Sequence, residues 1–528
     1  MLKAAATIIP LLLSMALLHS AESEIKFVDV TQALGGAMQP RAKHPNKAIA
    51  ENQANFQNVY EKGYFWNVSD VCFADVNGDG ALDIFMLNSP HGLWSRLWLG
   101  DGKGVFVEVP ATRLNAAMHS PASWHLLPFD FLGKGAQDIV ITQPRHGWDY
   151  KEYTTERLRC ATGQERDPEK FRFGRSSTGT TGATHLLSDF DNDGFISVAT
   201  GPDFGRDTDP NRGMLLGCTL ENDEIVLDRT EIPIGVGSGS VAADFVGDGH
   251  VSVLARGFWT TTKFIRNVGR RHFVDATSGS GLENMPPGGP IAVADFNNDG
   301  LLDIYCSGCG PKDSSGGPHL YINQGNGKFK DCTEGSGLIP EGKKDFKEQM
   351  GMACVADFDN DGLLDICVCD GDDIRVFKNL GGGKFQDVTK SSGLPLKVLK
   401  ESNNCVGDFD ADGRVDLLLI TASQGIGLFH NETQTSNGWL KVKLEGPRGN
   451  PEGAGAQVTI FSEGKMGAKT ALLGYQEKIV STDFRMANPL HFGLNANKKC
   501  DVRTLFPDGK VVEIRSVSSG TTVVVHHD

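Results

Sequence analysis

Four aspartates in nine residues, Asp357, Asp359, Asp361 and Asp365, with Gly362 at the sixth position, form the stretch with the clearest chemistry in the chain. Alternating carboxylates on a tight loop supply the hard oxygens that Ca2+ gathers six to eight at a time. The carbonyl of Leu363 would add a backbone ligand, and Gly362 permits the sharp turn. A helix–loop–helix calcium site needs a bidentate Glu at position twelve. Val368 stands there, inside the strand-like run Ile366-Cys367-Val368-Cys369. The sequence therefore predicts a calcium loop between two strands.

The pattern recurs. Three more loops keep every ligand position: Asp75, Asn77, Asp79, Ala81 and Asp83; Asp295, Asn297, Asp299, Leu301 and Asp303; and Asp408, Asp410, Asp412, Arg414 and Asp416, where the seventh residue of each contributes its carbonyl. A fifth has Asp189, Asp191, Asp193 and Phe195, but Ser197 replaces the last aspartate, which weakens the site. The loops at Asp130 and Asp244 are degenerate: Leu132 and Lys134 in one, Val246 and Ser252 in the other, stand where ligands belong. The chain is thus expected to hold four or five Ca2+ ions.

The seven loop starts are spaced by 55, 59, 55, 51, 62 and 51 residues. Each is preceded by a short apolar run and followed by further strand-like runs and a Gly-rich turn. A period of this size with four strands per unit predicts an all-β, seven-bladed β-propeller. The last unit lacks the Phe-x-Asp-Val-Thr strand that closes its neighbours. Phe27-Val28-Asp29-Val30-Thr31, near the other end of the chain, matches that strand and can close the ring, leaving no open sheet edge.

The 528 residues carry a formal net charge of −15, and seventeen carboxylates of the five candidate loops account for much of the acidity. Nucleic acid is a poor partner for such a chain, because phosphates must be neutralised by Lys and Arg. Residues 1–21 read as a secretory signal peptide, with a basic start, an apolar run from Ala4 to Leu18 and small residues at Ser20 and Ala21. That run falls short of the roughly 20 apolar residues of a membrane span. The expected location is secreted or extracellular, or periplasmic or cell-surface in a bacterium. Eleven cysteines fit an oxidising compartment, and Cys354 and Cys367 flank one loop as a candidate disulfide. Asn67 and Asn431 lie in N-x-S/T sequons.

Taken together, these units resemble FG-GAP/VCBS repeats, the propeller repeats also found in integrin α-subunit heads. The tail, with Gly438-Trp439-Leu440-Lys441-Val442-Lys443-Leu444, Gly453-Ala454-Gly455-Ala456-Gln457-Val458-Thr459, Leu490-His491-Phe492-Gly493-Leu494 and Phe506-Pro507-Asp508-Gly509-Lys510, resembles an ASPIC/UnbV domain. The stretch from Gly474 to Asp483 departs from that pattern. The combination is similar to the cartilage acidic protein family. The resemblance implies an exported calcium-binding propeller over residues 24–433 and a small β domain over 438–528, with adhesion or matrix roles. A Thr/Ser/Asn stretch between the two reads as a cleavable linker.

Long insertions over residues 32–70 and 143–182 interrupt the repeats, the kind of loop on which binding is found. The chain shows no nucleophile elbow, P-loop or H-E-x-x-H motif, so the expected role is not enzymatic. The expected partner is an extracellular protein or a glycan. A lectin-like propeller is the alternative, and a propeller lyase, hydrolase or dehydrogenase the remoter one.

Overall fold

The structure is a computed structural model that describes residues 23–34, 70–87, 96–109, 125–142, 156–159, 172–175, 185–200, 213–221, 224–232, 237, 239–257, 260–286, 291–307, 317–339, 352–370, 373–395, 404–421, 425–482 and 484–528. The predicted leader, Asn67 and most of the two insertions lie outside these residues.

The described residues form seven small antiparallel meanders. Their first strands are Asp70–Ala74, His125–Phe129, His185–Ser188, Val241–Ala243, Ile291–Ala294, Ala353–Ala356 and Cys405–Gly407. In every unit the acidic loop joins the first strand to the second, so that Asp83, Asp303, Asp365 and Asp416 each open a second strand. The first strands are buried throughout in the first, fifth and sixth sheets, as expected for runs covered on both faces. Apolar clusters join each sheet to the next: first to second, second to third, third to fourth, fourth through sixth, sixth to seventh, and seventh back to first. The result is a propeller ring.

The ring is closed by the strand from the start of the chain. Phe27–Asp29 pairs antiparallel with Gly425–Asn431 as the outer strand of the seventh sheet. Phe27 is buried and meets Phe358 edge-on at 5.3 Å, which also ties the closing strand to the sixth sheet.

A second device binds sheet to sheet. Asn267, Asn323, Asn379 and Asn431 occupy one position on successive third strands, each fully buried. The Asn379 amide donates to the carbonyls of Phe296 in the preceding sheet and Leu364 in its own, both at 2.9 Å. Asn323 does the same toward Phe245 and Leu302, and Asn267 toward Phe190 and Val251. Asn431 donates to Phe358 and Val415 at 2.8 and 3.0 Å. Its amide nitrogen is therefore committed inside the protein, and the expectation that Asn431 carries a glycan is corrected. Asn379→Ala strands two buried carbonyls and should lower stability by roughly 2–4 kcal/mol. Urea denaturation of the variant checks this, and a loss near zero would show that the clamp carries no load.

The candidate disulfide is likewise corrected. Cys354 and Cys367 are direct cross-strand partners, yet both thiols are free. Opposed residues of an antiparallel pair hold their Cβ atoms roughly 4.5–5.5 Å apart, wider than the ~3.8 Å mean that a disulfide needs. Burial pushes both thiols well above their ordinary range, which makes them inert.

The tail folds as two sheets around one apolar cluster. Gly438–Glu445 lies between Leu490–Asn495 and Thr521–His526, and the second sheet runs Leu472–Glu477, Gln457–Ser462, Lys499–Leu505, Val511–Ser518. It is not the loosely linked unit that its Thr/Ser/Asn junction suggests. Val480–Ser481 adds a fifth strand to the third sheet, on the free edge of His185–Ser188. Tyr475, Ile479 and Phe484 join the core of the fourth to sixth sheets. A first strand's free edge faces the ring axis, so this segment, the one that departs from the tail's family pattern, enters the ring.

Arg485 anchors it. Its guanidinium grips both carboxylate oxygens of Asp70, one of them at 2.9 Å, and donates to the carbonyls of Val71 and, at 2.8 Å, Leu126. Asp70 also accepts the Val71 and Leu126 amides at 2.7 and 2.6 Å. The pair is wholly buried and joins the tail to the first two sheets.

Candidate metal centre

All seven loops share one backbone device. The first aspartate accepts the N–H of the sixth-position glycine: Asp75 from Gly80, Asp130 from Gly135, Asp189 from Gly194, Asp244 from Gly249, Asp295 from Gly300, Asp357 from Gly362 and Asp408 from Gly413, at 2.6 to 2.9 Å. These glycines have φ between 79° and 91°, where a side chain is strained. The first aspartate and the glycine are thus what the turn requires, and the degenerate loops keep both. What the loops at Asp130 and Asp244 have lost are side-chain oxygens at positions three, five or nine, which a turn can spare and a cation cannot.

The retained positions are pre-oriented. The fifth-position carboxylates of Asp79, Asp193, Asp299, Asp361 and Asp412 each accept the N–H of the seventh residue, namely Ala81, Phe195, Leu301, Leu363 and Arg414, at 2.8 to 3.0 Å. The ninth-position aspartates Asp83, Asp303, Asp365 and Asp416 are fully buried. Each accepts one N–H from the loop and one from the third strand, as Asp365 does from Phe358 at 3.0 Å and Asn379 at 2.8 Å. Carboxylate oxygens of Asp189, Asp191 and Asp193, of Asp357, Asp359 and Asp361, and of Asp408, Asp410 and Asp416 converge within 4.8 Å of one another. In the Asp75 and Asp295 loops Asn77 and Asn297 stand at position three, each donating to the fifth-position carboxylate at 2.9 Å.

Such clusters strain against their own charge. Burial, backed by neighbouring carboxylates, pushes Asp83 and Asp303 up to about 8, and Asp189 and Asp295 to about 7. Asp357 and Asp365 are raised well above the ordinary carboxylate range for the same reasons. A divalent cation placed among these oxygens would remove the penalty, so the donor set fits Ca2+.

Two loops already hold an ammonium. Lys378 Nζ contacts Asp359 and lies 3.4 Å from Asp361. Lys441 Nζ, from the tail, lies 2.5 Å from Asp408. Around the last loop Arg414 pairs with Asp412, and His430 Nε2 lies 3.1 and 3.2 Å from Asp410 and Asp412. In the third, Arg271 pairs with Asp191 at 2.6 Å. Sequence spacing gave no sign of Lys378, Lys441, His430 or Arg271, which reach the loops from later strands, a turn or the tail, whereas Arg414 belongs to the loop itself.

The tail rests on this loop face. Glu452 accepts the Asp130 N–H at 2.8 Å, Glu477 accepts the Asp244 N–H at 3.0 Å, and Gln457 donates to the Asp244 carboxylate at 2.9 Å. His491, held neutral by burial with its pKa down to about 3, meets the Asn360 side-chain amide oxygen Oδ1 at 2.7 Å. Asn437 donates to the Asp359 carbonyl at 3.0 Å. Between the tail and the first, second and seventh loops a cleft of about 720 Å³ remains, lined by Asp75, Ala81, Asp130, Lys443, Arg448 and Glu452 among others.

A family model described as FG-GAP-like repeat matches residues 75–141, 244–306, 295–346 and 357–419. Cartilage acidic protein 1 of Homo sapiens is 29% identical over 275 residues, 48% of this chain and 38% of that protein. The Mus musculus protein is 28% identical over 274 residues, 48% of this chain and 39% of its own length. The chain thus spans about two fifths of these curated relatives. Among solved structures, an Agrocybe aegerita lectin that recognises non-reducing terminal N-acetylglucosamine aligns with 62% of this chain and 83% of its own, at a TM-score of 0.40 and 16% identity. Rhamnogalacturonan lyase PL11 of Bacillus licheniformis aligns with 77% and 75%, at 0.38 and 12%. Likeness at that level bears on neither ligand nor activity. The chain is thus a propeller in which four stretches match FG-GAP-like repeats, and about half of it is similar to cartilage acidic protein 1.

Proposed function

We propose that the chain is an exported, calcium-binding propeller that serves as an adhesion, matrix or ligand-binding module and not as an enzyme. The observation that carries the calcium reading is the contrast among its own seven loops. Every loop keeps the aspartate and glycine that the turn needs, while five keep side-chain oxygens at both positions three and five, a pairing that the turn does without in the loops at Asp130 and Asp244. The kinship to cartilage acidic proteins supports the extracellular role. No helix among the described residues is long and apolar enough to cross a membrane. Calcium would stiffen the loop face on which the tail rests, and the cleft beside Asp75, Lys443 and Arg448 offers polar groups of both signs to a protein or glycan partner.

Metal analysis after desalting into calcium should find four or five Ca2+ per chain, and zero or one would sink the reading. The sites should fill in order. Among the described residues no ammonium pairs with the loops at Asp75 and Asp295, whereas binding at Asp357 and Asp408 must release Lys378 and Lys441, so those two fill late in a calorimetric titration.

A further inference from the structure

The seam between the fourth and fifth sheets holds a charge that nothing in the loop chemistry uses. Arg256 is 1% exposed, and none of its three guanidinium nitrogens has a hydrogen-bond partner among the described residues. The Thr262 hydroxyl, 3% exposed, has none either. The two residues lie on paired strands, Ser252–Gly257 and Thr260–Asn267. The register slips between Ala255, paired with Lys263, and Gly257, paired with Thr260, so Arg256 alone stands opposite Thr261 and Thr262. Leu254 and Phe264, two residues from each, enter the apolar cluster shared with the fifth sheet. Side chains alternate along a strand, which directs Thr262 into the same seam. The charge of Arg256 is felt by the Tyr321 phenol of the fifth sheet. Ser252 opens its strand at the acidic loop, so Arg256, at the other end, lies away from the loop face.

A guanidinium cannot shed its proton to escape burial, and an unpaired buried ion is destabilising by several kcal/mol. Asp331, the described acid that acts on the same Tyr321 phenol, is engaged with His319 at 3.5 Å and with the Thr333 N–H at 2.9 Å. The Arg256 backbone, opposite the bulge, is pinned. Ser240 Oγ accepts the Arg256 N–H at 3.0 Å and donates to the Arg256 carbonyl at 3.3 Å. The arginine is held in place with its donors unspent, and a fork of such donors matches an oxyanion or a carboxylate.

We propose that Arg256 and Thr262 form an anion-binding site in this seam, for a small oxyanion or carboxylate such as sulfate, phosphate or acetate. Complete burial of the guanidinium limits the occupant to small ions, because a carboxylate on another macromolecule would have to part the two sheets to reach it. An anion here would bridge the fourth and fifth sheets as the asparagine clamps do at the opposite end.

The test is isothermal calorimetry on the full chain, freed of divalent ions with a chelating resin, in low-salt buffer. Sulfate, phosphate and acetate are titrated separately, which distinguishes an oxyanion site from a carboxylate site. The wild type should bind one of them saturably at one site. R256Q should weaken that binding at least tenfold, and T262V should weaken it severalfold. Because sulfate stabilises proteins generally, melting curves of R256Q in sulfate set the background against which the wild-type rise is read. No saturable binding by the wild type, or equal binding by R256Q, overturns the proposal. If R256Q fails to fold, as judged by circular dichroism, unchanged affinity in T262V overturns it equally.

Discussion

Arg485→Met should lower the melting temperature of the full chain by roughly 5–10 °C and loosen the tail and the ring together. The side chain pairs with Asp70 at full burial and also donates to carbonyls on the first strands of two sheets. Removing one partner of a buried pair typically costs about 3–5 kcal/mol, because the other charge is left uncompensated. In a domain of this scale each kcal/mol shifts the midpoint by roughly 2–4 °C or less. The chain carries a check on the interpretation. Asp70→Leu combined with Arg485→Met removes both charges, and an apolar pair of similar volume is often neutral in such a setting. The double variant should therefore recover at least half of the lost midpoint. A single variant that melts like wild type, or a tail that unfolds alone while the ring melts unchanged, would contradict the view that residues 472–487 plug the ring.

This contact also marks the limit of what the sequence discloses. The loops were legible because their chemistry is local: Asp357 and Gly362 meet within one turn, and spacing alone implies it. The closing strand was legible because Phe27-Val28-Asp29 repeats a motif whose copies stand elsewhere. Arg485 offers neither signal. Its partner is 415 residues away, and its surroundings show no strand or helix period that would separate a plug from a surface loop. The sequon at Asn431 misled for the opposite reason. The motif is local, but the burial that decides its fate comes from Phe358 in the preceding sheet. Its recurrence as Asn267, Asn323 and Asn379 at intervals near one repeat was the available sign that the residue belongs to the scaffold. The ammonium groups of Lys378 and Lys441 were invisible for the same cause, since each reaches its loop through the fold and not along the chain.

Stability of the calcium-free protein should fall as pH rises from about 4 to about 8, and calcium should offset the fall. Unfolded aspartates titrate near pH 4. In the folded chain burial and neighbouring carboxylates hold Asp83 and Asp303 up to about 8, Asp189 and Asp295 to about 7, and Asp361 to about 6. Between these limits the folded state binds more protons than the unfolded one, so the free energy of unfolding decreases with pH. The contribution is complete below about pH 4, declines progressively above it, and is gone once pH has passed the raised values of about 6 to 8. Calcium takes the place of those protons. At ten times its dissociation constant, each independent site adds roughly 1.4 kcal/mol, with constants on the order of 10⁻⁴–10⁻³ M for extracellular modules. Melting curves at pH 5.5 and pH 8, with EDTA and with excess calcium, check the sign. In EDTA the midpoint should be higher at pH 5.5, and the calcium-induced rise should be larger at pH 8. Asp361→Ala should remove one ion and part of the rise, whereas Lys134→Ala, in a loop that lacks the ligands, should leave the rise intact. A midpoint in EDTA that climbs with pH, or a calcium shift equal at both pH values, would show that these carboxylates are ionised and at ease without a metal.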